Sequence, residues 1–193
     1  ALPTFVFDSH QALARQVGAM IAAVIRERAA QGQSAVLGLP TGSTPVGVYR
    51  ELIRLHREEG LDFSNVITFN LDEYLGLGAD RLQSYRRWMH EHLFKFLNIP
   101  PESIHIPDGL TPPERWDEHC REYEAAIARA GGIDLQLLGI GRNGHIGFNE
   151  PFSARNCRTR VAMLDPVTRR DAASDFFSEE NVPMQAITMG LGT

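Results

Sequence analysis

Short apolar runs alternate with longer amphipathic stretches along this chain, and that alternation limits its fold more than any other feature. Ser34-Ala-Val-Leu-Gly-Leu39, Asn65-Val-Ile-Thr-Phe69, Ser103 to Ile106 and Ile133-Asp-Leu-Gln-Leu-Leu-Gly-Ile140 read as strands. Between them lie helical patterns: Ser9 to Ala30, Pro45 to Glu59, Ser84 to Leu97 and Pro113 to Ala130. In the first of these Leu13, Val17, Met20, Ile21, Val24 and Ile25 recur at helical spacing. Ser9 suits an N-cap and Pro45 a first helical turn. Further on, Thr159 to Leu164 and Ala186 to Met189 look extended, with a helical stretch from Asp165 to Phe177 between them. Strands separated by such helices predict an α/β fold: a Rossmann-like parallel sheet with helices on both faces, a three-layer sandwich. A chain of 193 residues is long enough for one core and short for two, so a single domain over 1–193 is expected. Met189-Gly-Leu-Gly-Thr193 reads as the start of a strand-to-helix turn. It predicts an incomplete C-terminal βα unit and a domain truncated at that end.

Charge and cysteine usage exclude several classes of function. A net charge of -5, with no basic stripe interleaved with aromatics, runs against nucleic-acid binding. No apolar run approaches the length of a membrane span, and Ala-Leu-Pro-Thr-Phe-Val-Phe-Asp at the start lacks the basic region of a signal peptide. Cys120 and Cys157 form no CxxC pair, so neither a disulfide framework nor a zinc site is signalled. A reducing, cytoplasmic setting is the simple expectation.

Three clusters of reactive residues follow predicted strands, where open α/β sheets place their ligand crevice. The first is Gly38-Leu-Pro-Thr-Gly-Ser-Thr-Pro45. Its Gly-rich turn, the hydroxyls of Thr41, Ser43 and Thr44 and the helix start that follows make a site for a phosphate or other anion. It is neither a Walker A loop nor a dinucleotide fingerprint, and a plain N-capped helix start without a ligand remains open. The second is Asp72-Glu73. Adjacent side chains in an extended chain point opposite ways, so at most one of these acids faces a given substrate, and a solvated acidic turn is the blander alternative.

The third cluster, Gly139-Ile-Gly-Arg-Asn-Gly-His-Ile-Gly-Phe-Asn-Glu-Pro151, carries the most chemistry. His145 can move a proton near neutral pH and Glu150 can orient it. A turn needs Gly and Asn but has no need of His followed by Asn-Glu-Pro. A structural histidine and a plain Arg142-Asn143-Gly144 turn are the alternatives here. Asp72, His145 and Glu150 are also conceivable metal ligands, but without paired-histidine spacing no metal is expected.

Together with Phe69-Asn-Leu-Asp-Glu-Tyr74, Ser84-Tyr85 and Arg158-Thr-Arg160, these segments resemble the glucosamine-6-phosphate deaminase family, in its order and close to its spacing. The resemblance runs essentially the length of the chain. It implies conversion of glucosamine 6-phosphate and water to fructose 6-phosphate and ammonia, by aldose–ketose isomerisation and deamination, without a metal or redox cofactor. It implies Asp72 as the base that moves the C2 proton to C1, and His145, oriented by Glu150 with Asn143 beside it, as the ring-opening group. Thr41, Gly42, Ser43 and Thr44 would hold the phosphate, with Glu73, Tyr85, Gly141 and Gly144 contributing to the substrate site. The resemblance also implies allosteric or structural positions at Arg158 and Arg160. The implied partner is a small amino-sugar phosphate, and family members often form homo-oligomers.

The sequence departs from the family pattern at informative places. Asn143 stands where an aspartate often partners the histidine, and Leu82-Gln83 replace a His-Pro before Ser84, with Arg81 at the histidine position. Asp175 precedes Phe176-Phe177 where an arginine usually contacts the phosphate; Arg169 and Arg170 are the cations just upstream. The isomerase and deaminase residues are therefore better preserved than the phosphate site. Two other functions stay open: a sugar-phosphate lactonase of related fold, which lacks the proton-abstracting acid, and a non-catalytic sugar-phosphate-sensing domain.

Overall fold

The computed structural model describes residues 2–193. Its elements in chain order are α1 (His10–Ala30), β1 (Ala35–Leu39), α2 (Val46–Glu59), β2 (Val66–Asn70), β3 (Asp72–Tyr74) and α3 (Tyr85–His92). They continue with β4 (Ile104–His105), α4 (Trp116–Arg129), β5 (Leu135–Gln136), β6 (Arg160–Met163), α5 (Pro166–Ala172) and β7 (Gln185–Thr188). Among the described residues no helix is long and apolar enough to cross a membrane.

The parallel sheet has the order β4-β2-β1-β5. Strand β1 shows why helices cover both faces. All five of its residues are buried, and alternate ones enter different cores. Ala35, Leu37 and Leu39 pack with Ile21 and Ile25 of α1, Leu52 of α2 and Met89 of α3. Val36 faces the other way, with Phe69 of β2 and Tyr123 and Ile127 of α4. Each such side chain contributes about 1.5–3 kcal/mol by leaving water. Helix α1 begins at Ser9, whose hydroxyl accepts from Ala12 N at 3.1 Å, and buries Ala14, Ile21, Ala22 and Ile25 along one stripe.

The helices are otherwise shorter than their sequence patterns. Helix α3 stops at His92, and the chain rewinds through a 3-10 turn, Phe94–Phe96, that turns Phe94 into the core. Helix α5 ends at Ala172; beyond it the chain turns, Phe176 buries and Phe177 takes a left-handed backbone (φ 66°).

Two features were not read from the sequence. A second, three-stranded sheet, β3-β7-β6, is antiparallel throughout. It joins the first through Leu71, whose N donates to Leu39 O at 3.2 Å and whose carbonyl accepts from Met189 N at 2.7 Å. The Asp-Glu-Tyr segment is thus a buried strand rather than a solvated turn. The second feature is a correction: the strand expected from Ile133 to Ile140 pairs as a strand only at Leu135–Gln136. Beyond Leu137 the chain leaves β1, and Leu138 and Ile140 are 47% and 78% exposed. Among the described residues β5 stands at the end of the order β4-β2-β1-β5 and pairs with β1 alone.

Candidate active site

Strand β1 has β2 on one side and β5 on the other, while α2 and α4 lie on opposite faces, so the strand order reverses beside β1. A crevice is expected at the carboxyl ends of the strands there. A cleft of about 1050 Å³ opens at that place, and the segments after β1, β2 and β5 all reach it. Thr41 and Thr44, Asp72, Tyr85, Gly141 and His145 line it. Phe5 and Leu13, Val17 and Met20 of α1 form an apolar side of the same cleft.

Asp72 is 6% exposed, and no described residue donates a hydrogen bond to its carboxylate. Burial, and then the neighbouring Glu73 charge, push it up to about 8. The backbone of Gly147 runs close by: a Cβ there would sit 3.0 Å from Thr188 Oγ1 and 3.5 Å from Asp72 Oδ2.

His145 lies flat over Gly141, where any Cβ would overlap the imidazole. Gly144 N donates to Gly141 O at 2.9 Å, closing the turn that carries the ring. Behind the imidazole, Asn143 Oδ1 is 2.7 Å from His145 Nδ1 and accepts from His145 N at 3.2 Å, while Asn143 Nδ2 donates to Glu150 Oε2 at 3.0 Å. Glu150 Oε2 itself stands 3.7 Å from Nδ1, so the amide is the direct neighbour. The other Glu150 oxygen accepts from Asp165 N at 3.0 Å, and Thr168 Oγ1 of α5 lies 3.2 Å from His145 Nδ1. With Arg142 paired to Asp171 at 2.7 Å, α5 and its N-cap grip the histidine loop at three points.

The turn after β1 has a different character. No side chain caps α2, so the hydroxyls of Ser43 and Thr44 are not spent there. Thr44, Pro45 and Val48 at that helix start line the cleft, and the free amides there carry a partial positive charge. Thr41 reaches the Tyr85 hydroxyl, which also donates to Tyr74 Oη at 3.2 Å.

The geometry matches what comparison with known proteins finds. The family described as glucosamine-6-phosphate isomerases/6-phosphogluconolactonase matches residues 8–148. The chain belongs to that family. Among its relatives, a glucosamine-6-phosphate deaminase from Thermoanaerobacter sp. (strain X514) is 49% identical over 172 residues, 89% of this chain and 67% of the relative. Glucosamine-6-phosphate deaminase 2 of Bacillus subtilis (strain 168) is 51% identical over 174 residues, covering 89% of this chain and 69% of the relative. A monomeric glucosamine-6-phosphate deaminase of known structure superposes with a TM-score of 0.93 at 42% identity, over 98% of this chain and 76% of that one. The 6-phosphogluconolactonase of Trypanosoma brucei shares the fold alone, with a TM-score of 0.70 at 23% identity over 100% of this chain and 78% of that one.

Several expected site residues of this family member stand elsewhere than anticipated. Glu73 does not line the cleft: its side chain turns to the opposite side of β3 and into the N-terminus of α3. Gly42 and Ser43 lie in the turn but not on the cleft wall. Arg158 pairs with Glu124 of α4 at 2.5 Å and donates to Gly192 O at 2.5 Å, and Arg160 donates to Asn149 Oδ1 at 2.7 Å and Ser153 Oγ at 3.1 Å. Both arginines are thereby tied into the structure behind the site. Arg169 is committed to the carbonyls of Glu179 and Val182 and is not free for a phosphate, whereas Arg170 and Asp175 are exposed. Thr168 escaped notice in the sequence, since nothing local distinguishes it. Asn149 stood in the Phe-Asn-Glu-Pro motif, and it ties Ile146 O and Met189 O together at 2.9 and 2.7 Å.

Proposed function

We propose that this chain converts glucosamine 6-phosphate and water to fructose 6-phosphate and ammonia. One observation carries the reading: a buried carboxylate of high proton affinity, Asp72, shares one cleft with His145 and an uncapped helix start. The deaminase relatives at about half identity support it.

In this reading the 41–44 turn and the α2 amides take the phosphate and orient the sugar. Nδ1 of His145 is engaged by Asn143 and Thr168, which leaves Nε2 for the sugar. Nε2 takes the O1 proton of the closed ring and returns it to O5, opening the ring. Asp72 then removes the C2 proton and delivers it to C1, while a proton given up by the C2 ammonium passes to O1 and makes the C1 hydroxyl. The resulting C2 imine adds water, and ammonia leaves from the carbinolamine, so every atom of the substrate and the water is accounted for. Tyr85 and Gly141 shape the floor of the cleft. The similar solved deaminase is described as monomeric.

A lactonase needs no proton abstraction from carbon, and a binding domain gains nothing from a buried, undonated acid that lowers its stability. Both leave Asp72 unexplained. Incubation with glucosamine 6-phosphate should release ammonia and fructose 6-phosphate in equal amounts. Folded protein that binds the sugar phosphate but forms neither product would overturn the proposal.

A further inference from the structure

Asp72 and Glu73 are neighbours in β3, both buried, and their surroundings are opposite. Glu73 is 1% exposed, and its carboxylate accepts four hydrogen bonds. Oε1 accepts from Tyr74 N at 3.0 Å and Tyr85 N at 2.9 Å; Oε2 accepts from Ser84 Oγ at 2.9 Å and Arg86 N at 2.9 Å. Three of these donors are backbone amides, two of them in the first turn of α3, whose N-cap is Ser84. A carboxylate at a helix N-terminus is favoured by the amides and by the helix dipole. The donor set is complete for an anion, since a protonated acid would turn its own O–H against one of them. Among the described residues no cation pairs with Glu73: the Arg86 guanidinium donates to Ile106 O at 3.0 Å instead.

We propose that Glu73 is a positioning residue that holds a permanent negative charge behind Asp72 and locks β3 to the start of α3. The lock fixes two directions together. Because alternate side chains of a strand oppose each other, anchoring Glu73 in α3 forces Asp72 to face the cleft. Three of these bonds, from Ser84, Tyr85 and Arg86, seat Tyr85, the first residue of α3, whose hydroxyl reaches Thr41 on the far side. Two like charges this close in a poorly solvated place cannot both be held cheaply. The one with four donors keeps the charge, and the one with none becomes the strong proton acceptor. Burial raises the proton affinity of both acids, and only for Glu73 do donors pull it part of the way back.

The other titratable groups near the pair do not supply that charge. Tyr49 of α2, Tyr74 of β3, Tyr85 of α3 and Tyr123 of α4 all feel Asp72, and burial keeps these phenols protonated. His145 lines the same cleft as Asp72, and Asp108 shares a small pocket with Glu73.

The inference deepens the deaminase reading and rests on it for its kinetic arm. In the full chain, Glu73→Gln removes the charge while keeping the shape. It should move the acidic limb of the kcat/KM profile down by roughly 1 pH unit, with KM little altered and kcat reduced. A structural role alone would lower kcat or stability and leave the limb in place, and that result overturns the proposal. Glutamine sets an NH2 against backbone N–H groups, so the variant is at risk of misfolding. The second measurement therefore uses the unaltered protein: carboxyl-carbon NMR of labelled Asp and Glu, titrated without substrate. Glu73 should remain ionised while Asp72 takes up its proton. A Glu73 that carries the proton while Asp72 is ionised sinks the proposal. A folded chain with no turnover refutes the deaminase reading, and the carboxyl titration still decides Glu73.

Discussion

Asn143 Nδ2 stands 3.0 Å from Glu150 Oε2, and that contact decides which way round the amide sits. A carboxylate only accepts hydrogen bonds, so the amide nitrogen must face it and Oδ1 must face His145. Oδ1 likewise only accepts, so His145 Nδ1, 2.7 Å away, carries the ring proton and Nε2 presents its lone pair. Glu150 therefore sets the histidine tautomer through an amide, without touching the ring.

The tautomer can be read directly. Imidazole 15N NMR of the neutral protein should report His145 as the Nδ1–H form. Asn143→Ala should mix the two tautomers and lower kcat on the cyclic sugar roughly 10–100-fold, with stability close to that of the parent. A pure Nε2–H form in the parent protein contradicts the argument.

Asp72 ties activity and stability to pH with opposite signs. As a base it works only when ionised, so turnover should rise with pH through about 8. Its folded-state value lies above the unfolded one of about 3.9, so folding takes up a proton between these limits. Asp72 therefore favours the fold at low pH and loses that contribution as pH rises through about 8. Asp72→Asn should abolish C2 proton exchange, with kcat down about 10²–10⁴-fold, and should melt above the parent at pH 8.5 but near it at pH 4. Calorimetry at the two pH values checks the sign.

Gly141→Ala tests the platform under His145. The added Cβ overlaps the imidazole, so the ring must move, and a displacement of about 1 Å costs on the order of 100-fold in rate. Circular dichroism should be unchanged while turnover falls. Full activity would mean that the ring has another resting place.

Asp175 offers a gain of function. It is exposed, Gln83 Nε2 donates to its carbonyl at 3.3 Å, and its charge bears on Tyr74. Asp175→Arg exchanges repulsion of a phosphate dianion for attraction. KM for the phosphorylated sugar should fall about threefold to fivefold at low salt, and the gain should shrink as salt is added. An unchanged KM would place the side chain away from the phosphate.

Much of this was legible in the sequence because it depends on local pattern. The capping Ser9, the five buried residues of β1 and the glycine-spaced loop around His145 each follow from neighbours in the chain. The opposed directions of Asp72 and Glu73 follow from strand periodicity alone. What each of them meets does not. Placing Glu73 in the substrate site failed because its partners Ser84, Tyr85 and Arg86 are brought to it by the turn into α3. The strand at 133–140 was overextended because apolar residues mark a strand and not the presence of a neighbour for it. Thr168 reaches His145 across 23 residues, a contact no local signal announces.

By itself, then, the chain's order of residues determined the parallel α/β layering and the chemical types gathered at the strand ends, because period and propensity act over a few residues. The tertiary structure alone decided which groups keep their solvent, which find donors and which find neither. Those differences separate Asp72 from Glu73, and they arise because the free energy of a charge depends on everything packed around it, however distant in sequence.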